Sequence, residues 1–99
     1  MKKLLFVFNP LSGTGQIKPR LLEIIDTFVK AGYDVVAYPT QKQKDAYEKI
    51  VKDGRGYDAI VCAGGDGTLD ETVSGMMTAG LHTPLGYIPT GSTNDFAEL

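Results

Sequence analysis

The run Gly64-Gly65-Asp66-Gly67-Thr68 puts three glycines, a carboxylate and a hydroxyl where a strand-like stretch gives way to a helix-like one. Glycines at 64, 65 and 67 permit positive φ and carry no Cβ to keep a ligand off the backbone. A helix N-terminus presents N–H groups and the positive end of a dipole, which favours phosphate. Asp66 would repel phosphate directly, so its chemistry there is contact with a sugar hydroxyl or a phosphate-bound Mg²⁺. The five residues read as a nucleotide-phosphate site with a metal close by.

Two further loops offer related chemistry. In Asn9-Pro10-Leu11-Ser12-Gly13-Thr14-Gly15, Ser12 and Thr14 supply hydroxyls and Gly13 and Gly15 expose amides, a second phosphate cradle. Asn9 can hold either this loop or a nucleotide group, and Asn-Pro and Ser-Gly can equally do no more than turn the chain. In Pro89-Thr90-Gly91-Ser92-Thr93-Asn94-Asp95, Ser92, Asn94 and Asp95 suit either a helix cap or a ligand. Thr68-Leu69-Asp70-Glu71 also fits a capping box, Thr68 bonding helix N–H groups and Glu71 reaching back. Two common phosphate motifs are missing. No Gly-Lys pair exists for a Walker A loop, and Lys18 stands where the third glycine of a dinucleotide fingerprint belongs. The acid that would bind ribose at the end of the second strand is replaced by Thr40.

The elements that must position these loops alternate in period. Residues 3–8 form an apolar run suited to a strand covered on both faces. Ile17, Leu21, Ile24, Ile25 and Phe28 share one helical face, ended by Gly32. A strand at residues 35–38 follows, then a helix marked by Ala46, Tyr47, Ile50 and Val51 with Gly54 at its end. Residues 59–63 form a third strand. Leu69, Val73, Met76 and Met77 mark a third helix closed by Gly80, and Met76 and Met77 are expected in the core. Gly75 is expected at a close helix–sheet approach. A fourth strand spans 85–88, and a last helix begins near Ser92. This βαβαβαβα order predicts an α/β three-layer sandwich with a parallel sheet and right-handed crossovers. The expected strand order is 2-1-3-4, which sets the Asn9 and Asp66 loops side by side. Ligands of such sheets bind beyond the carboxyl ends of the strands, where all the loops above fall. His82 belongs to a turn at the other end. Lys42 and Lys44 suit a solvated helix start better than a phosphate contact.

Composition narrows the class. The 99 residues allow one domain, and 42% hydrophobic with 22% charged residues is ordinary for a globular protein. A net charge of −2 gives no basic face for nucleic acid. Cys62 is the sole cysteine, which rules out an intrachain disulfide or a cysteine-based zinc site and suits a reducing cytoplasm. The five-residue apolar run at the N-terminus is too short for a signal peptide or a membrane span.

Taken together, the loops resemble the catalytic domain of the diacylglycerol kinase-like lipid kinases, a group that includes sphingosine and ceramide kinases. The resemblance lies in Asn9-Pro10-x-Ser12-Gly13, Gly64-Gly65-Asp66-Gly67-Thr68-Leu69-x-Glu71-x-Val73-x-Gly75 and Pro89-x-Gly91-Ser92-x-Asn94-Asp95-Phe96-Ala97, which span nearly the whole chain. NAD kinases and phosphofructokinases carry a similar Gly-Gly-Asp-Gly loop, but the first and last pieces separate the lipid kinases from them.

The resemblance implies the N-terminal fold shared by NAD kinases and diacylglycerol kinases, with ATP and Mg²⁺ as cofactors. By it, Asn9, Pro10, Leu11, Ser12 and Gly13 form the first nucleotide loop, and Thr40 contacts the nucleotide from the second strand. Gly65, Asp66, Gly67, Thr68, Leu69, Asp70 and Glu71 bind phosphate and the Mg²⁺ region, and Ser92 completes the pocket. Asp66 is the expected catalytic carboxylate, acting through ATP-bound magnesium. The implied reaction moves the γ-phosphoryl group of ATP to a lipid hydroxyl, that of diacylglycerol or a related lipid, in phospholipid metabolism. Residues 1–99 would be the ATP-binding half. A β-rich domain with the lipid pocket, further metal ligands and the proton-accepting acid would follow outside them, so the chain alone is expected to be inactive. The last helix, stopped barely two turns in, points to the first part of a longer protein. Glu98 departs from the basic or neutral residue that relatives often place there. The full-length protein is expected in the cytoplasm with peripheral membrane contact, and self-association is expected through the domain-facing surface. Two other readings are an NAD kinase-like enzyme acting on a soluble substrate and a nucleotide-binding module without chemistry.

Overall fold

The computed structural model describes residues 1–11 and 17–90. Strand β1 (Lys2–Phe8) sits inside the sheet with residues 4–8 buried, which explains its unbroken apolar run. Leu4, Phe6 and Phe8 point to one face and join Ile17, Ile24, Ala59 and Ala63 in one core cluster. Leu5 and Val7 point to the other and pack with Ala46, Ile50, Ile60 and Met76. The period of two in strand side chains thus divides one sequence between two cores.

Strand β2 (Tyr33–Pro39) and strand β3 (Ala59–Gly64) flank β1, and β4 (Leu85–Pro89) lies beyond β3. All pairings are parallel and the order is β2-β1-β3-β4, as the sequence predicts. Helix α1 (Leu21–Lys30) covers the Phe6 face, where the Phe28 ring meets Phe6 edge-on at 5.6 Å between centroids. Helices α2 (Asp45–Asp53) and α3 (Asp66–Ala79) cover the other face, giving the three-layer α/β architecture. Burial pushes the Cys62 thiol pKa up and leaves it a core residue.

Three local expectations are corrected. Ile17 is buried but precedes the helix: a 3₁₀ turn at Lys18–Arg20, carrying Pro19, separates it from α1. Met77 is 76% exposed and Val73 is exposed too, because α3 buries a stripe of small residues, Thr68, Thr72, Gly75 and Ala79, together with Met76. Gly75 marks a helix–helix approach, not a helix–sheet one. A Cβ there would stand 2.9 Å from Ile50 Cβ and 3.0 Å from the Tyr47 carbonyl oxygen, both on α2. The helix expected near Ser92 lies outside the described residues.

Candidate functional site

Backbone hydrogen bonds carry the sheet past its strands and gather the loops at its carboxyl edge. Thr40 N–H donates to Phe8 O at 2.8 Å, Asn9 N–H to Ala63 O at 3.0 Å, and Thr90 N–H to Gly64 O at 3.1 Å. Asn9 Oδ1 accepts the Leu11 N–H at 3.0 Å, an Asx turn, so this side chain holds its own loop.

The β3–α3 turn uses its glycines unequally. Gly64 has φ +156°, and a Cβ on it would lie 2.6 Å from Thr68 Oγ1. Gly65 is the N-cap of α3 with φ −84° and ψ −171°, a conformation open to any residue. Gly67 lies in the first turn, and a Cβ on it would meet nothing within 4 Å. Positive φ is therefore needed at Gly64 alone of the three. A glycine N-cap supplies no side-chain oxygen, so the first-turn N–H groups keep their capacity for an anion. Asp66 is the first residue of the helix and is exposed. The Tyr87 hydroxyl donates to Gly64 O at 3.0 Å, and burial, aided by the Asp66 charge, raises its pKa.

The capping box at Thr68 does not form. Helix α3 starts three residues earlier than that reading requires, so Thr68 is already inside it. Glu71 reaches across to α2, where its Oε2 accepts the Lys44 N–H at 3.0 Å.

A cleft of about 360 Å³ opens between these loops. Asn9, Leu11, Thr40, Gly67, Thr68 and Glu71 line it, six candidates drawn from three separate loops. Gln41, Lys42 and Gln43 complete the wall; sequence reasoning passed over Gln41 and Gln43 and set Lys42 aside as a solvated helix start. Their position directly after β2, at the edge where ligands bind, is the signal that could have found them. Lys42 Nζ lies 3.5 Å from Glu48 Oε1, and both side chains are largely exposed.

The remaining candidates are not part of that lining, and Asp66 is among them, exposed at the start of α3 next to the lining residue Gly67. Pro10 and Gly65 are half-buried neighbours of the cleft, and Leu69 is half-buried on α3. Asp70 lines a second cleft of about 390 Å³ with Lys44, Tyr47 and Ser74, on the other side of Glu71. Ser12, Gly13 and Ser92 lie outside the described residues, as do Thr14, Gly15, Asn94 and Asp95. Among the described residues no three His, Cys, Asp or Glu side chains gather into a metal site. A lone exposed carboxylate such as Asp66 suits Mg²⁺ that rests mainly on phosphate oxygens and water. Among the described residues, no helix is long and apolar enough to cross a membrane.

Comparison with known proteins gives one family. Residues 3–99 match the family described as diacylglycerol kinase catalytic domain. The chain is 38% identical to a diacylglycerol kinase of Bacillus subtilis (strain 168), over 99% of this chain and 33% of that protein. It is 41% identical to one of Staphylococcus haemolyticus (strain JCSC1435), over 93% and 28%. A solved diacylglycerol kinase structure from Bacillus anthracis str. Sterne superposes with a TM-score of 0.78 at 29% identity, over 98% of this chain and 36% of that one. The chain thus spans about a third of the length of these relatives.

Proposed function

The chain belongs to the diacylglycerol kinase catalytic domain family, and from that premise we propose that it is the nucleotide-binding portion of an ATP-dependent lipid kinase. The longer protein moves the γ-phosphoryl group of ATP to the hydroxyl of diacylglycerol or a related lipid. The observation that carries this reading is convergence: six candidate residues, five from two motifs and Thr40 from the end of β2, line one cleft at the carboxyl edge of a parallel sheet.

In this cleft the chain's own residues position and hold. Gly67, without a side chain, lets phosphate approach the first turn of α3, whose N–H groups face the anion. Thr40 and Thr68 offer hydroxyls, and Lys42 is the cation on the wall. Asp66, exposed beside the cleft at the start of α3, would hold an Mg²⁺ arriving with the nucleotide, and that ion would supply charge neutralisation at the transferring phosphate. Acceptor pocket and proton-accepting group are assigned to a following β-rich domain, so the 99 residues alone transfer no phosphate to diacylglycerol. The proposed setting is the cytoplasm, with peripheral membrane contact and self-association belonging to the longer protein.

Calorimetric titration with ATP, with and without Mg²⁺, tests the reading. Metal-dependent binding is expected, weakened at least about tenfold in Asp66→Asn. Binding indifferent to both changes would indicate a nucleotide-binding module without kinase chemistry. No binding by the wild type would remove the cleft as an autonomous ATP site.

A further inference from the structure

Asp45 opens α2 and is only 6% exposed, an unusual setting for a carboxylate. Among the described residues no basic side chain pairs with it: Lys30 pairs with Asp26, Lys42 with Glu48, and Lys49 with Asp53. A buried carboxylate is costly unless its oxygens are satisfied. The Tyr38 hydroxyl donates to Asp45, lying 2.9 and 3.0 Å from its two oxygens, and the Gln41 backbone N–H donates at 2.6 Å. The Asp45 N–H turns back to Lys42 O at 3.3 Å. The segment between β2 and α2 is therefore wrapped around this one carboxylate.

Residues 40–43 of that segment are a wall of the cleft. Its two ends are fastened separately, by Thr40 N–H on Phe8 O and by Lys44 N–H on Glu71 Oε2. Lys44 takes φ +66°, uncommon for a residue with a side chain, and it does so at the second of these fastenings.

We propose that Asp45 is a positioning residue of the nucleotide cleft: it holds residues 40–43 in the shape that receives ligand and does not touch the ligand. The ligand's identity rests on the reading above; the hold on the loop does not. A role through charge and a role through geometry are separable. Asparagine keeps the geometry without the charge, because its Oδ1 can accept the Gln41 N–H while its Nδ2 donates to the Tyr38 oxygen.

The test combines amide hydrogen exchange and Mg²⁺–ATP titration on Asp45→Ala and Asp45→Asn in the same 99-residue chain. In Asp45→Ala, exchange at Gln41 and Lys44 should quicken at least about tenfold and ATP affinity should fall about tenfold, with β1 and β3 amides still protected. Asp45→Asn should restore both to within about threefold of wild type. Unchanged exchange at Gln41 and Lys44 in Asp45→Ala overturns the proposal. So does an asparagine variant as damaged as the alanine one, or a loss of protection spread evenly over the strands. Should the alanine variant fail to fold, Tyr38→Phe removes one link and should speed Gln41 exchange about threefold, strands unaffected; no change there overturns the proposal as well. A wild type that binds no ATP defeats the nucleotide reading, while exchange at Gln41 and Lys44 still decides whether Asp45 holds the loop.

Discussion

Asp58 and Asp66 stand at opposite ends of β3, each beside a glycine turn, and the fold uses them differently. At the amino end, Asp58 Oδ2 accepts the Lys3 N–H at 2.7 Å while the Asp58 N–H donates to Lys3 O at 2.8 Å, tying β3 to β1. At the carboxyl end, Asp66 is exposed at the mouth of a helix. The two ends of α3 show the same contrast. Its C-terminus is closed by a Schellman arrangement, Leu81 N–H on Met76 O and Gly80 N–H on Met77 O, with Gly80 at φ +68°. Arg55 adds a guanidinium donor to Ala79 O at 2.6 Å. Its N-terminus is capped by a glycine with no side chain to offer. At the amino end of β3 and the C-terminus of α3 these polar groups are engaged in the fold, whereas at the other ends Asp66 is exposed and the helix N-terminus lacks a side-chain cap.

Glycine substitutions sharpen this contrast most strongly. Gly64→Ala forces a side chain into a positive-φ position 2.6 Å from Thr68 Oγ1, and should cost about 3 kcal/mol and abolish ATP binding. Gly54→Ala, at the amino edge, keeps an ordinary helical φ of −58° and crowds the terminal methyl of Leu81 at 2.7 Å, with Ile50 Cγ2 in contact at 3.4 Å. It should cost about 1 kcal/mol and leave the ATP titration unchanged. Urea denaturation with parallel calorimetry measures both. Equal effects on ATP binding would break the comparison of edges.

The smallest effect lies in a half-buried ion pair of α2. Lys49 Nζ is 2.8 Å from Asp53 Oδ2, and that bond lowers the Asp53 pKa below its ordinary value. A lowered carboxylate pKa contributes stability above the unfolded-state value, and the contribution is lost as pH falls through the folded one. Asp53→Asn should therefore shift the urea midpoint slightly at neutral pH, and the difference should fade as pH falls through the lowered pKa of the folded carboxylate, below the ordinary carboxylate range. ATP binding should not change at either edge of that range. A difference that persisted in acid would mean that Asp53 acts through something other than its charge.

Much of this arrangement was legible in the residues. The apolar run at 4–8 announced a strand buried on both faces, and Gly32 and Gly80 marked helix ends that the fold confirms with φ of +97° and +68°. The edge holding the site followed from where the Asn9, Thr40 and Gly64 loops fell in the βαβ order. The lining of the cleft by Gln41, Lys42 and Gln43 was only half legible: their place after β2 marked the edge, but a polar stretch before a helix looks the same whether it faces solvent or a cleft. The core face of α3 was misread for a related reason. Threonine, glycine and alanine carry little hydrophobic signal, yet they allow the close approach to α2 that leaves Met77 outside.

Sequence alone determined the order of elements, the parallel sheet and the edge at which the chemistry collects, since periodicity and turn residues act over a few neighbours. Tertiary structure decided which polar groups remain to bind anything. The sequence suits Glu71 to a cap on its own helix, but its carboxylate goes to Lys44, and Asp45 is drawn inside by Tyr38 and Gln41. Such choices depend on which donor stands nearest in space, and that distance exists only once α2 and α3 have packed against the sheet.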